Sequence, residues 1–209
     1  MWQGGLLLMP KSVVNAVKSK IIGHGRGWCF TPKHFLDLDS PTGVRSAFSR
    51  LQGDKMIRRL AQGLYEYPRE HADLGILPPQ IDEIAKAIAE KNGVRIQPSG
   101  AYAANLVGLS EQVPGRVIFL TNGPTKKLKI GKLEIIFRTA REKTLHASGK
   151  VGLVIQALKN FGKSHIDEIA RARAQRFLKE TSSQELKKNL KYAPQWIRDV
   201  ILEVMKNKK

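Results

Sequence analysis

Apolar residues along the chain recur at helical spacing in some stretches and alternate in others, and the changes of period mark the elements. Val13, Val14, Val17 and Ile21 share one helical face after Ser12, and Gly23-His-Gly-Arg-Gly27 ends that helix. Trp28-Cys-Phe-Thr31 is long enough only for a brief strand. Thr31-Pro32 and Ser40-Pro41 then repeat one device, a hydroxyl residue at the N-cap with proline at the first helical position. They predict short helices over residues 32–38 and 41–52. Residues 56–60 and 64–67 read as two strands around Gln62-Gly63, closed by Pro68. Helix, strand, helix, turn, helix and basic hairpin follow the order of a winged helix-turn-helix, expected over 11–68.

A linker is expected over 69–78. Beyond it, Ile81, Ile84, Ala85 and Ile88 form a helical face, with Asp82 and Glu83 in the first turn, Lys91 near the end and Gly93 as the stop. Ser99 is positioned to cap a helix over 101–109. Three strands follow at 116–121, 126–130 and 133–138. The turns Asn122-Gly123 and Gly131-Lys132 between them predict an antiparallel meander. The remainder is helical: Val151, Val154, Ile155 and Leu158 make one stripe before Gly162. Ser164 with Asp167 and Ser182 with Glu185 resemble capping boxes, and Trp196 or Ile197 with Val200, Ile201 and Val204 form the last apolar face. The expected fold class is therefore α+β: an N-terminal winged helix-turn-helix, then a helical domain over 79–207 containing a small antiparallel β-meander.

Within the helix at 41–52, Val44, Ala47, Phe48 and Leu51 fall at i, i+3, i+4 and i+7 and belong against a core. The opposite face presents Thr42, Arg45, Ser46, Ser49 and Arg50. Short polar side chains let a helix lie close to DNA, and arginine pairs bidentately with O6 and N7 of guanine. The hairpin after it is basic at Lys55, Arg58 and Arg59, which a wing beside the groove would set on phosphates. These eight residues are the candidate DNA-binding set.

Composition sharpens this picture. Lys and Arg number 36 against 18 Asp and Glu, a net charge of +18 and a sequence pI near 10.2, which attracts polyanions. Cys29 is the one cysteine, so no disulfide framework or cysteine zinc site is expected, and the five histidines show no HExxH spacing. The apolar run at 6–9 has no basic residues before it and reads as something other than a signal peptide. A cytoplasmic protein without membrane association, catalytic residues, cofactor or metal is expected. The glycine run at 23–27 lacks the Lys-Ser/Thr of a phosphate loop and reads as a turn. Asp37 and Asp39 read as a solvated turn, Asp167 and Glu168 as helix-start acids, and His146 and His165 as surface residues. The C-terminal third is the most basic part. There Arg171, Arg173, Arg176 and Lys179 share one helix and Lys187, Lys188 and Lys191 the next, forming either a second phosphate- or RNA-contacting surface or a solvated face.

With these residues assembled, the chain resembles the AbiEi-type antitoxins of type IV (abortive-infection) toxin–antitoxin systems, in particular a compact branch of transcriptional regulators. The matching stretches are Gly25-Arg-Gly-Trp-Cys-Phe-Thr-Pro32, Ile57-Arg-Arg-Leu-Ala-Gln-Gly-Leu-Tyr-Glu-Tyr-Pro68, Gln97-Pro-Ser-Gly-Ala-Tyr-Ala-Ala-Asn-Leu-Val-Gly-Leu109 and Gln112-Val-Pro114. Ala157-Leu158 and Ala193-Pro-Gln-Trp196 are also similar, so the likeness runs over roughly 11–205. It implies autorepression by a winged helix bound to inverted repeats in the protein's own promoter. It also implies a C-terminal domain that counteracts a nucleotidyltransferase-like toxin without a stable complex. Thr42, Arg45, Ser46, Ser49, Arg50, Arg58 and Arg59 occupy positions matching that family's reading helix and wing. The C-terminal part is shorter than in the longer antitoxins, and no antitoxic residue carries over. Two other readings stand beside this one: an RNA-binding module using the basic C-terminal helices, and an antitoxin acting by direct protein contact.

Overall fold

The structure, a computed structural model, describes residues 12–206; the run at 6–9 and the outermost positions of the two expected domains lie outside them. The first helix, α1 (Val13–His24), starts at Ser12, whose hydroxyl accepts the Asn15 N–H at 3.3 Å, and buries Val17 and Ile21. β1 (Cys29–Phe30) follows. The helix expected over 32–38 is instead a single three-ten turn, Pro32–Phe35. The Thr31 N–H donates to Nδ1 of His34 at 2.9 Å, and the Leu38 N–H closes back on the Phe35 carbonyl at 3.0 Å. Aspartates favour turns over helix interiors, and Asp37 is held from outside by the Lys20 ammonium of α1 at 2.8 Å. α2 (Pro41–Gly53) begins at Ser40, whose Oγ accepts the Gly43 N–H at 3.2 Å. β2 (Arg58–Ala61) and β3 (Leu64–Glu66) then form a hairpin that turns with Gly63 at φ 67°, in the left-handed region glycine enters freely.

β3 lies between the other two strands, in the order β1-β3-β2, with both pairings antiparallel. The core of this unit is aromatic. Phe35 meets Phe48 edge-on at 5.1 Å, Phe30 meets both at 5.4 Å, and Tyr65 stands 4.8 Å from Phe48. The stretch expected as a linker holds β4 (Glu70–His71) and β5 (Gly75–Ile76), paired antiparallel, before α3 (Ile81–Asn92). Contacts divide the chain into two compact units between Lys91 and Asn92, so α3 falls almost wholly in the first, not at the head of the second.

The second unit opens with β6 (Ile96–Ser99), a strand that sequence periodicity did not show. α4 (Gly100–Val107) leads to β7 (Arg116–Thr121), β8 (Lys126–Ile130) and β9 (Leu133–Thr139). The order is β6-β7-β9-β8, with β7 and β9 parallel, so the expected meander is corrected. β8 and β9 do form a hairpin through Gly131-Lys132, but residues 122–125 carry the chain across the end of β9 instead of turning beside β7. Thr139 fastens that crossing: its hydroxyl donates to the Gly123 carbonyl at 2.8 Å and its N–H to the Thr125 hydroxyl at 3.1 Å. Burial decides the order. β9 buries Ile135, Ile136 and Phe137 and takes a central place, whereas β8, with Lys126, Lys127 and Lys129 exposed, suits an edge.

After α5 (Glu142–Leu145), the helices α6 (Gly149–Phe161), α7 (Glu168–Leu178), α8 (Ser183–Leu190) and α9 (Gln195–Lys206) build one core with α4. Ala103, Ala104 and Ala157, all buried, fit the close packing of α4 on α6. Ser182 caps α8 as expected, accepting the Glu185 N–H at 3.1 Å. Ser164 does not open α7: it lies in a three-ten turn, and Asp167 is the cap, accepting the Ala170 N–H at 2.8 Å. No helix among the described residues is long and apolar enough to cross a membrane.

Candidate nucleic-acid interface

Burial fixes the orientation of α2. Val44, Ala47, Phe48 and Leu51 are almost completely enclosed. Thr42, Arg45, Ser46, Ser49 and Arg50 are consequently all exposed on one polar face. Arg45 lies along its own helix, Nε donating to the Pro41 carbonyl at 3.0 Å, which leaves its terminal nitrogens to reach outward. Asp39 sits against Gly43, where a Cβ would collide with its carboxylate; an acid at this end of a helix complements the dipole.

Directly after α2, Lys55 is exposed and adopts φ 56°, the left-handed conformation that reverses the chain into the hairpin. Arg59 is exposed in β2 with Nε on the Ala61 carbonyl at 3.3 Å. Arg58 behaves differently. It is half-buried, its Nε donates to Glu66 at 2.5 Å and its Nη2 to the Leu77 carbonyl at 2.7 Å. Seven of the eight candidate residues thus share exposed positions on α2 and the segment after it, while Arg58 is taken up by the interior of its own unit.

Glu66 is completely buried, and its Oε1 has no hydrogen-bond partner among the described residues. In the three-stranded sheet it stands opposite Cys29 on one side and Arg58 on the other. Burial pushes the Cys29 thiol far above its ordinary range; the Glu66 and Glu83 charges add to this and Arg58 opposes it. A regular two-residue turn at Gln62-Gly63 would set residue 59 across from residue 66; a bulge between Arg59 and Ala61 shifts the register by one and puts Arg58 there instead, which the sequence did not signal.

The other sequence motifs fall into structural places. The 23–27 run ends α1 and passes into a tight turn, with the Gly27 N–H on the Tyr67 carbonyl at 2.6 Å and Arg26 bridging the Pro68 carbonyl and Glu70 at 2.8 and 2.9 Å. On α7, Arg171 pairs with Glu203 at 2.5 Å, and Arg173 holds the Gly108 carbonyl and Glu111 at 2.6 and 3.2 Å. Arg176 and Lys179 remain exposed there, as do Lys187, Lys188 and Lys191 on and just after α8. No cluster of three or more His, Cys, Asp or Glu side chains suited to a metal occurs among the described residues.

A family model described as a family of unknown function, DUF6088, matches residues 16–186. The chain belongs to that family. The match runs through both units of this DUF6088 protein and includes α2 and the whole hairpin. No curated protein matches it. Among solved structures, the crystal structure of the RV2827C protein from Mycobacterium tuberculosis is similar at 13% identity, with a TM-score of 0.44 over 92% of this chain and 81% of that one.

Proposed function

We propose that this DUF6088 protein is a sequence-specific DNA-binding regulator whose first unit is a winged helix, with α2 as the reading helix and the β2–β3 hairpin as the wing. One observation carries the reading: a helix locked by four buried apolar residues turns outward an unbroken face of two arginines and three short hydroxyl side chains. The order of elements along the chain supports it, since the β2–β3 hairpin follows directly after that helix. Arg45 and Arg50 read base edges; Lys55 and Arg59 hold phosphates and supply affinity without sequence information. Arg58 is assigned to the scaffold instead. The resemblance to AbiEi-type antitoxins supports a narrower role as a cytoplasmic autorepressor on inverted repeats in its own promoter. In that role it would be the antitoxin to a nucleotidyltransferase-like toxin that it does not bind stably.

The test is binding to the duplex immediately upstream of the gene against a scrambled duplex, at two salt concentrations. A preference well above tenfold that survives the higher salt is expected. Arg45→Ala and Arg50→Ala should each cost about 1–3 kcal/mol on the specific duplex and little on the scrambled one. Equal, salt-sensitive affinity for both duplexes would reduce the face to a general polyanion surface.

A further inference from the structure

The second unit contains a cavity of about 660 Å³ between β6, the start of α6 and the end of α8, which the DNA-binding reading does not use. Its walls are unusually furnished. Gln97, from the Gln97-Pro-Ser-Gly segment, is only 8% exposed, and neither its amide nitrogen nor its amide oxygen has a hydrogen-bond partner among the described residues. An unpaired buried amide is destabilising unless something supplies a donor and an acceptor to it. Gly152 makes room for that amide: a Cβ there would stand 2.7 Å from the Gln97 nitrogen and collide with the Ala147 carbonyl.

The N-terminal end of α6 borders the same cavity and carries no side-chain cap. Asn189, buried in α8, accepts the Ser148 N–H at 2.8 Å and donates to the Glu185 carbonyl at 2.8 Å, so it pins α8 to the start of α6. That bond brings Lys188 and Lys191 to a helix terminus already favourable to anions. The other charges at this place are one ion pair and one further carboxylate. Arg95 is paired with Glu142, and the Glu185 carboxylate lies beside Gly149. Lys188 and Lys191 have no ion pair among the described residues, and the Lys191 ammonium sits 5.0 Å above the Tyr192 ring. Tyr192 stacks on His146 at 5.1 Å, which gives the cavity an aromatic wall.

We infer that this cavity is a binding site for a nucleoside phosphate. The phosphate takes the open end of α6 with Lys188 and Lys191, the base lies along the His146–Tyr192 wall, and Gln97 turns its carboxamide onto the base edge. A bare phosphate has no ring to lie along the aromatic wall, and an apolar ligand has no use for the lysines. A nucleobase edge provides donor and acceptor together.

The experiment uses the full chain without divalent cations, with thermal shift and calorimetry against the four ribonucleoside monophosphates and triphosphates. Ribose 5-phosphate and tripolyphosphate serve as probes lacking a base. The expected result is a rise in Tm and measurable heat for at least one nucleotide, with a preference among bases. Lys188→Ser and Lys191→Ser, both on the surface, should each weaken it about tenfold. Gln97→Leu should abolish the preference among bases while leaving the unliganded Tm equal or higher, because an unpaired amide is removed. Tripolyphosphate or ribose 5-phosphate binding as tightly as the nucleotides would overturn the inference. So would nucleotide binding unchanged by the Gln97 and lysine substitutions, or no binding at all. None of these readouts involves DNA, so the outcome is independent of the proposed regulator function.

Discussion

Single side chains decide which basic residues can face a ligand. Arg58 and Arg59 are neighbours of the same type, yet one neutralises a buried carboxylate and the other points to solvent. Arg58→Ala should cost about 3–5 kcal/mol, because it strands Glu66 in the interior; Arg59→Ala should stay within about 0.5 kcal/mol. Urea midpoints of the two variants check this, and equal midpoints would refute the pairing. Cys29 makes a second expectation. Its thiol stays protonated when folded, so iodoacetamide at neutral pH should modify it only as fast as the protein unfolds, as mass spectrometry with and without urea would show. The same raised pKa sets a sign. The unfolded thiol ionises near its ordinary value of 9.0 and the folded one stays protonated there, so this contribution to stability is whole below that pH and declines above it. The outward face of α2 was legible residue by residue, because four apolar positions at helical spacing leave a single solution for the rest. The fate of Arg58 was not, since it depends on Glu66 eight positions away and on the register joining them.

Elements form where local chemistry and burial agree, and they depart from the pattern where burial overrules it. Ser40 and Ser182 cap the helices they were expected to cap and Ser12 caps α1 where that helix was expected to begin, whereas Ser99 stands at the start of α4 without a side-chain cap bond. The edge strand β6 escaped notice because Pro98 interrupts the run; proline cannot donate to a ladder and is tolerated only at an edge or bulge. The meander failed for another reason. Turn residues at 122–123 suggest a reversal but cannot say which strand will be the neighbour, and the more apolar β9 took that place from β8. On α2, Phe48→Ala should lose about 3–5 kcal/mol, as its ring touches three others, while Ser49→Ala beside it should be nearly neutral. Thermal unfolding of the pair separates them. At the start of α6, Gly152→Ala should cost about 1–3 kcal/mol, since the neighbouring carbonyl is backbone and cannot swing aside.

Over the whole molecule, a net charge of +18 gives every nucleic acid an electrostatic attraction, so affinity alone says little about specificity. Salt dependence separates the contributions. Lys55→Gln and Arg59→Gln should each flatten the slope of log K against log salt by about 0.9 and leave the ratio of specific to scrambled affinity unchanged. An altered ratio would move these residues from phosphate contact to base reading. The two-unit organisation was visible in the sequence only coarsely, because a short hairpin at 70–76 looks like a linker when neither strand exceeds two residues. The crossing of residues 122–125 over the end of β9 has its own consequence during synthesis. A nascent chain that has emerged only as far as the Gly131-Lys132 turn holds β7 with a row of unpaired backbone donors and acceptors, because the strand that pairs with them has yet to leave the ribosome. The first unit can close while the ribosome works; the sheet of the second must wait for Thr139 and its core for the helices beyond, and until then chaperones have an unsealed seam to guard.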